Sequence, residues 1–345
     1  MRIKPQTPFA GDAPCPTMHI ACGEPGSGEE ITIENFDDTQ VRAALPMTRV
    51  IAAMEPAFRA ISSGLAHIPV RQRLPLADAG ANMLVMPAAV PGWPFASVKI
   101  VSVCPANRAR GLKTINGAIL AFDAHTGLPR ARIAAEALTA LRTGAASGLA
   151  TRLLARPDAD RLALFGCGAQ AATQLEAIHC VRPLREVLVF GRDAAVAAAF
   201  CTRWSTALGL PVRPGLRREI PTALIVATAT TAMDPLFALE ELHPEAHVNA
   251  VGSFTPQACE LPPALMAAAR VVVDQREGCL QEAGEFHRAR AAGLLDGRPD
   301  PQELGELLEA NATAASRGGG RTVFKSVGNA LQDLACVCAL LSPAQ

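Results

Sequence analysis

The chain has 345 residues, of which 50% are hydrophobic, with 32 basic and 32 acidic side chains and no tyrosine. A balanced charge, with no basic tail and no basic stripe interleaved with aromatics, argues against a nucleic-acid surface. No uninterrupted apolar run approaches the roughly 20 residues that span a bilayer, so no membrane partner is expected.

The length suits two domains, or one interrupted by another. Aromatic residues make up only 4%, so the cores must be aliphatic and alanine-rich. The 10 cysteines are mostly scattered and none stands at zinc-ligand spacing, so no metal site is expected. Cys336 and Cys338 are the nearest approach to a pair, and they sit in an apolar helical tail that reads as core. Reduced thiols in a chain of this length point to the cytoplasm. Residues 1–30 are rich in Pro, Gly and acidic side chains without an apolar signal core, and read as a flexible extension.

In chain order, 31–33 reads as a short strand. Asp37, Asp38 and Thr39 offer caps for a helix over 40–45, and a second helix is expected over 48–62, with Pro56 inside it. A strand with one polar face is expected over 67–73. Further strands follow at 82–87, 95–103, 114–122 and 130–133, with turns at 107–112 and 123–127. This region, 31–135, reads as a helix pair followed by an antiparallel sheet. A helix over 136–154 then opens a second domain, 136–318. There strands at 162–165, 186–190, 222–229, 247–251 and 269–273 alternate with helices, which is the order of a mostly parallel sheet. Past Gly318, Gly319 and Gly320, a strand at 321–325 and a helix at 326–341 are expected, and the 319–345 segment is expected to return to the first domain.

The second domain opens on Leu162-Ala163-Leu164-Phe165-Gly166-Cys167-Gly168-Ala169-Gln170-Ala171. Strand, tight turn and helix carry the pattern G-x-G-x-x-A, the dinucleotide fingerprint with alanine at its third small position. Gly166 would make the turn, Gly168 would admit a pyrophosphate, and Ala171 would let helix and strand pack closely. Free N–H groups at the helix start, over Ala169 and Gln170, would bind phosphate. The next strand ends at Phe190-Gly191-Arg192-Asp193. Arg192 there suits a 2′-phosphate and favours NADPH. Asp193 keeps NADH open, and a surface Arg–Asp pair is the alternative reading. Thr228 and Val251, in the strands expected at 222–229 and 247–251, are further expected cofactor contacts.

A second constellation is cationic. Arg71, Arg73, Lys99 and Arg142 come from separate elements, and Lys99 and Arg142 interrupt apolar patterns. Such charges are costly unless paired or turned to a cleft. A shared anion such as a substrate carboxylate would account for them, and snorkelling or local salt bridges are the alternative. No histidine has neighbours that mark it as a catalytic base.

These residues resemble the ornithine cyclodeaminase/mu-crystallin family. The likeness covers about 31–341. It is carried by Pro69-Val70-Arg71, Val98-Lys99, the 138–147 run through Arg142, the Gly166–Ala171 fingerprint, Val248-Asn249-Ala250-Val251-Gly252, Val273-Asp274, and Lys325-Ser326-Val327-Gly328-Asn329-Ala330-Leu331-Gln332-Asp333. The resemblance implies a Rossmann-type domain plus a mixed α+β domain, built from the amino-terminal part and the carboxyl-terminal segment, that forms a homodimer through its sheet. It implies that Arg71, Lys99 and Arg142 surround the carboxylate of an amino or imino acid. It also implies that Thr114 serves the substrate or nicotinamide side and that Ser326 and Val327 lie near both.

One departure bears on the reaction. Where cyclodeaminases carry an acidic residue after the NAVG segment, this chain has Phe254. An aromatic ring cannot pair with the ornithine side-chain ammonium. The likeness therefore points to the ketimine reductase branch: NAD(P)H-dependent reduction of 1-pyrroline-2-carboxylate to L-proline, or of 1-piperideine-2-carboxylate to L-pipecolate. Ornithine cyclodeaminase, alanine dehydrogenase-like and opine-like activities, and a non-catalytic ligand binder, are the competing readings.

Overall fold

The computed structural model describes residues 18–20, 31–77, 80–310 and 319–342. The extension expected over 1–30 lies outside the described residues, except for 18–20. The chain runs β1 (Met18–Ile20), β2 (Ile31–Phe36), α1 (Asp38–Ala44), α2 (Met47–Ser62), β3 (Gln72–Leu76), β4 (Ala81–Ala88), β5 (Phe95–Val103), β6 (Ile115–Asp123) and β7 (Pro129–Ala134). Then come α3 (Ala135–Leu154), β8 (Arg161–Phe165), α4 (Ala169–Val181), β9 (Glu186–Phe190), α5 (Ala194–Leu208), β10 (Val212–Pro214), β11 (Ile225–Thr228) and β12 (His247–Ala250). The last elements are α6 (Pro263–Ala268), β13 (Arg270–Val273), α7 (Arg276–Glu282), α8 (Gly284–Ala291), β14 (Gln302–Glu303), α9 (Leu304–Glu309), β15 (Thr322–Lys325) and α10 (Ala330–Leu341).

Two sheets organise these elements. The first has seven strands in the order β1-β2-β7-β6-β5-β4-β3. It is mixed rather than wholly antiparallel, because β2 pairs with β7 in parallel. The second has eight strands, β10-β9-β8-β11-β12-β15-β13-β14, with every pairing parallel. It is a Rossmann-type sheet with apolar cores on both faces, and the first sheet with its helices forms the mixed α+β part.

Local chemistry explains the elements. Asp37 caps α1 in a capping box, accepting from the Gln40 amide while the Gln40 side chain accepts from the Asp37 amide. α2 continues through Pro56 because that residue lies on the exposed side, where water can serve the carbonyl that loses its partner. Helix α3 is buried nearly all round rather than along one stripe, as befits a helix enclosed between layers. Gly144 permits this, since a Cβ there would lie 2.4 Å from the Thr173 carbonyl oxygen of α4. Buried Arg182 closes the end of α3 by donating to the carbonyls of Thr151, Arg152 and Ala155.

The carboxyl-terminal segment is divided. β15 enters the parallel sheet between β12 and β13, whereas α10 packs in the first core with α2, α3 and β5. The helix expected from Ser326 starts only at Ala330, capped by the Asn329 side chain; 326–329 is a loop. Similarly, β3 begins at Gln72, later than expected, and β11 begins at Ile225 because 217–222 forms a 3-10 turn.

Candidate active site

The strand tips of the parallel sheet are in register. Phe165 is level with Thr228, Thr228 with Ala250, Ala250 with Lys325, and Lys325 with Val273. Gly166, Ala229, Val251, Ser326 and Asp274 therefore leave the sheet along one edge. β8 stands between β9 and β11, so the chain order reverses there, the place where open α/β sheets hold nucleotides.

The fingerprint turn has the form that a phosphate requires. Gly166 has φ of 115°, and a Cβ on it would lie 2.6 Å from the Ala229 carbonyl oxygen, so only glycine fits. A Cβ on Gly168, by contrast, would meet nothing within 4 Å. The glycine is kept for open space, at the start of a 13-residue helix that has no side-chain cap. Ala171 is buried against the turn. The residues present thus fit a dinucleotide, whose phosphates the amides of Ala169 and Gln170 would meet.

Arg192 is exposed beside this turn and has no ion pair among the described residues. The Arg192–Asp193 surface pair is not formed. Asp193 instead caps α5, one carboxylate oxygen accepting from the amides of Ala195 and Val196. Gly191 has to stay small, since a Cβ would lie 2.7 Å from Cys167 Sγ.

Lys99 and Arg142 come together on Asp333. Lys99 Nζ lies 2.7 Å from Asp333 Oδ2, and Arg142 Nε lies 3.2 Å from Oδ1. Arg142 Nη1 also donates to Gln332 Oε1 at 2.7 Å. Lys99 is 3% exposed and Arg142 6%. Burial lowers the Lys99 pKa to about 8; Asp333 opposes the shift, while Arg142 and Arg71 add to it. Lys99 uses one ammonium N–H on Asp333, and Arg142 uses its Nε–H and one Nη1–H, so further donors remain.

Arg71 reaches the same place from just before β3. Its Nε lies 3.0 Å from Glu282 Oε1, and its Nη2 donates to the carbonyls of Val327 and Gly328. Gly328 has φ of 77°, and a Cβ on it would lie 2.3 Å from Arg142 Nη1. The loop after β15 is therefore where cationic cluster and nucleotide edge meet. Asp274 fastens that loop, accepting from Ser326 Oγ, the Gly328 amide and Gln332 Nε2.

Several expected residues stand elsewhere. Arg73 is exposed on edge strand β3, where residues 72–75 are all exposed, and it makes no ion pair with Asp333. Thr114 precedes β6 by one residue, whereas Lys99 pairs with Ile119, so Thr114 is roughly 17 Å away along the strand. The Thr228 hydroxyl is directed at Glu260, and the Ser326 hydroxyl at Asp274. Val251 is held through its amide by the Thr228 carbonyl. His247 is buried between Thr322 and Asn249, and burial lowers its pKa to about 3, so it is neutral and structural. Asp274, Gln332 and Asp333 stand in motifs that carry the family resemblance but had no role assigned from the sequence, and Glu260 and Glu282 were not singled out. The available signal was Gln332-Asp333 inside the otherwise apolar stretch of α10.

The comparisons agree with this architecture. The model of the ornithine cyclodeaminase/mu-crystallin family matches residues 35–341. The chain belongs to that family. It is 36% identical over 296 residues to a Delta(1)-pyrroline-2-carboxylate reductase of Bacillus thuringiensis subsp. konkukian, covering 85% of this chain and 91% of that protein. It is 34% identical over 301 residues to a Delta(1)-pyrroline-2-carboxylate/Delta(1)-piperideine-2-carboxylate reductase of Azospirillum brasilense, covering 87% and 92%. Among solved structures, the Delta(1)-pyrroline-2-carboxylate reductase of Thermococcus litoralis, in complex with NADH and L-proline, superposes with a TM-score of 0.82 at 31% identity, covering 89% and 96%.

Proposed function

We propose that the protein is an NAD(P)H-dependent ketimine reductase that converts 1-pyrroline-2-carboxylate to L-proline, and takes the six-membered 1-piperideine-2-carboxylate, giving L-pipecolate, as the larger ring. The observation that carries this reading is the meeting of a buried cationic cluster with a dinucleotide-type edge at Val327 and Gly328. The relatives named for both imines support the substrate class.

The remaining N–H donors of Lys99 and Arg142, with Arg71 released from Glu282, hold the ring carboxylate and orient the C=N bond. Asp333 keeps both cations in place. A nicotinamide cofactor held along the Gly166–Ala171 edge would supply a hydride to C2 of that bond. Lys99, still protonated at neutral pH, donates a proton to the ring nitrogen, since the iminium is the better electrophile. Phe254, 42% exposed after β12, offers no carboxylate to a side-chain ammonium, which disfavours ornithine as substrate.

NADPH is the proposed cofactor, on Arg192, exposed and without an ion pair among the described residues, and on the use of Asp193 as a helix cap. The proposed assembly is a homodimer through the outer face of the seven-stranded sheet, where Val85, Val98, Ile100, Leu120 and Phe122 alternate with the core-facing residues. Free thiols among the described cysteines accord with a cytoplasmic location. No described helix is long and apolar enough to cross a membrane.

The test is oxidation of NADPH and NADH with freshly made 1-pyrroline-2-carboxylate, beside ammonia release from ornithine. Fast turnover of the imine and none of ornithine is expected. Ammonia from ornithine without imine turnover would replace this reading with the cyclodeaminase one.

A further inference from the structure

Behind the nucleotide edge lie three fully buried charged side chains that the cationic cluster does not use: Glu260, Glu285 and Lys325. Lys325 Nζ donates to Ser253 O at 2.7 Å and to Ser253 Oγ at 2.6 Å, and lies 3.4 Å from Glu285 Oε2. Burial opposes ionisation of Glu285, but Lys325, the Ser253 hydroxyl and the Glu260 amide outweigh it and hold the carboxyl below its usual range. Lys325 and Glu285 therefore balance one another.

Glu260 has no cationic partner among the described residues. Four donors fill its carboxylate instead. Thr228 Oγ1 at 2.9 Å and the Gly252 amide at 2.7 Å reach Oε2. The Thr230 amide at 2.7 Å and Thr230 Oγ1 at 2.8 Å reach Oε1. A buried carboxylate survives only where such donors satisfy it. These four share one location: they stand at and just beyond the tips of β11 and β12, the wall of the crevice beside the fingerprint. The wall is tight on both sides. A Cβ on Gly252 would lie 2.3 Å from the Thr230 carbonyl oxygen and 2.4 Å from Glu260 Oε1. A Cβ on Gly166 would lie 2.6 Å from the carbonyl oxygen of Ala229, next to Thr230. The 228–230 backbone is therefore in direct contact with the fingerprint turn, the Ala229 amide donating to the Phe165 carbonyl.

We infer that Glu260 is a positioning residue for the dinucleotide. It ties the loops after β11 and β12 together and so sets the width of the crevice, without touching the cofactor. This rests on the reading of that crevice as the cofactor site. Thr228 and Thr230 act through the same carboxylate.

The experiment titrates NADPH and NADH directly against the full-length protein, without imine, in the wild type and in Glu260→Gln, Thr230→Val and Thr230→Ser. Glutamine has the shape of glutamate but turns an NH2 group toward donors. Glu260→Gln is expected to raise the cofactor dissociation constant about tenfold or more. Thr230→Val should raise it about threefold or more, and Thr230→Ser, which keeps the hydroxyl, should restore it to within about twofold. At saturating cofactor, KM for the imine should stay within about twofold in all three variants, a split that a general loss of structure would not give. A folded Glu260→Gln protein with a lower melting temperature but unchanged cofactor affinity would overturn the inference. Were that variant not to fold, equal cofactor affinity in Thr230→Val and Thr230→Ser would overturn it. A wild type that binds neither cofactor would instead overturn the dinucleotide reading on which the inference stands.

Discussion

The nucleotide edge and the cationic cluster are built in opposite ways. At the edge, Gly166, Gly168 and Ala171 lie within six positions, and the turn they form is local in sequence. The cluster joins side chains from β5, α3 and α10, and Arg142 meets Asp333 across 191 positions of sequence. The fingerprint turn holds its shape through backbone conformation and lack of side chains, with Glu260 bracing the loops beside it. The cluster holds its shape through buried charge. Damage to the first should therefore alter cofactor binding, and damage to the second should alter both substrate handling and stability.

The sharpest way to break this comparison is Arg142→Ala. It leaves the Asp333 carboxylate buried with Lys99 alone, and loss of one partner of a buried pair costs about 3–5 kcal/mol. Activity toward 1-pyrroline-2-carboxylate should fall by about 10²- to 10³-fold in kcat/KM, with a lowered melting temperature. The NADPH dissociation constant, titrated without imine, should stay within about twofold. An equal loss of cofactor affinity would mean that the two regions are not separable.

Gly168→Asp tests the other side. Its Cβ meets open space, so the melting temperature should stay within about 2 °C, while the carboxylate in the phosphate cradle should weaken NADPH binding by roughly 100-fold. Gly166→Ala should show the reverse emphasis. A positive φ and a close carbonyl oxygen predict a loss of about 1–3 kcal/mol of stability by denaturant titration.

The difference also decides what could be read from the sequence. The fingerprint was legible because its chemistry is local: an apolar strand, two glycines and a small residue at fixed spacing. Most strands of both sheets were legible for the same reason. By pattern, Lys99 and Arg142 were visible as charges out of place, their role coming from the resemblance, and Asp333, which pairs with both, lies in a helix whose own pattern gives no hint of its partners. Arg73 shows the cost of inference from neighbourhood, since it stands two positions after Arg71 yet is exposed; Thr114, expected from the resemblance, lies just before β6, at the end far from Ile119. The entry of β15 into the parallel sheet depends on a non-local pairing with β12 and β13, which no local period reveals.

A pH profile sharpens the role of Lys99. With its pKa lowered to about 8, kcat/KM should be level below that pH and fall about tenfold per unit above it. Lys99→Arg, which cannot lose its proton in this range, should be slower overall but lack that falling limb. Unfolding does not account for the loss. Because the folded pKa lies below the ordinary 10.5, the unfolded chain binds more protons between about 8 and 10.5, and this group's contribution to stability rises with pH there. Chemical denaturation at pH 8 and pH 10 would check the sign.

The smallest expected effect is at Arg192. Arg192→Ala should weaken NADPH by about tenfold and leave NADH within about twofold, since only the former carries the 2′-phosphate. Equal changes in both would remove the phosphate contact from the account.

The central claim is that the two regions bring a ring carboxylate and a nicotinamide together for transfer to C2. The most direct measurement is a single turnover of 1-pyrroline-2-carboxylate with NADPH dideuterated at C4, followed by mass spectrometry of the product. The account predicts L-proline with one deuterium at its α-carbon, and no such product from Arg142→Ala on the same timescale. Unlabelled proline, or label appearing only after ornithine is supplied and ammonia released, would contradict it.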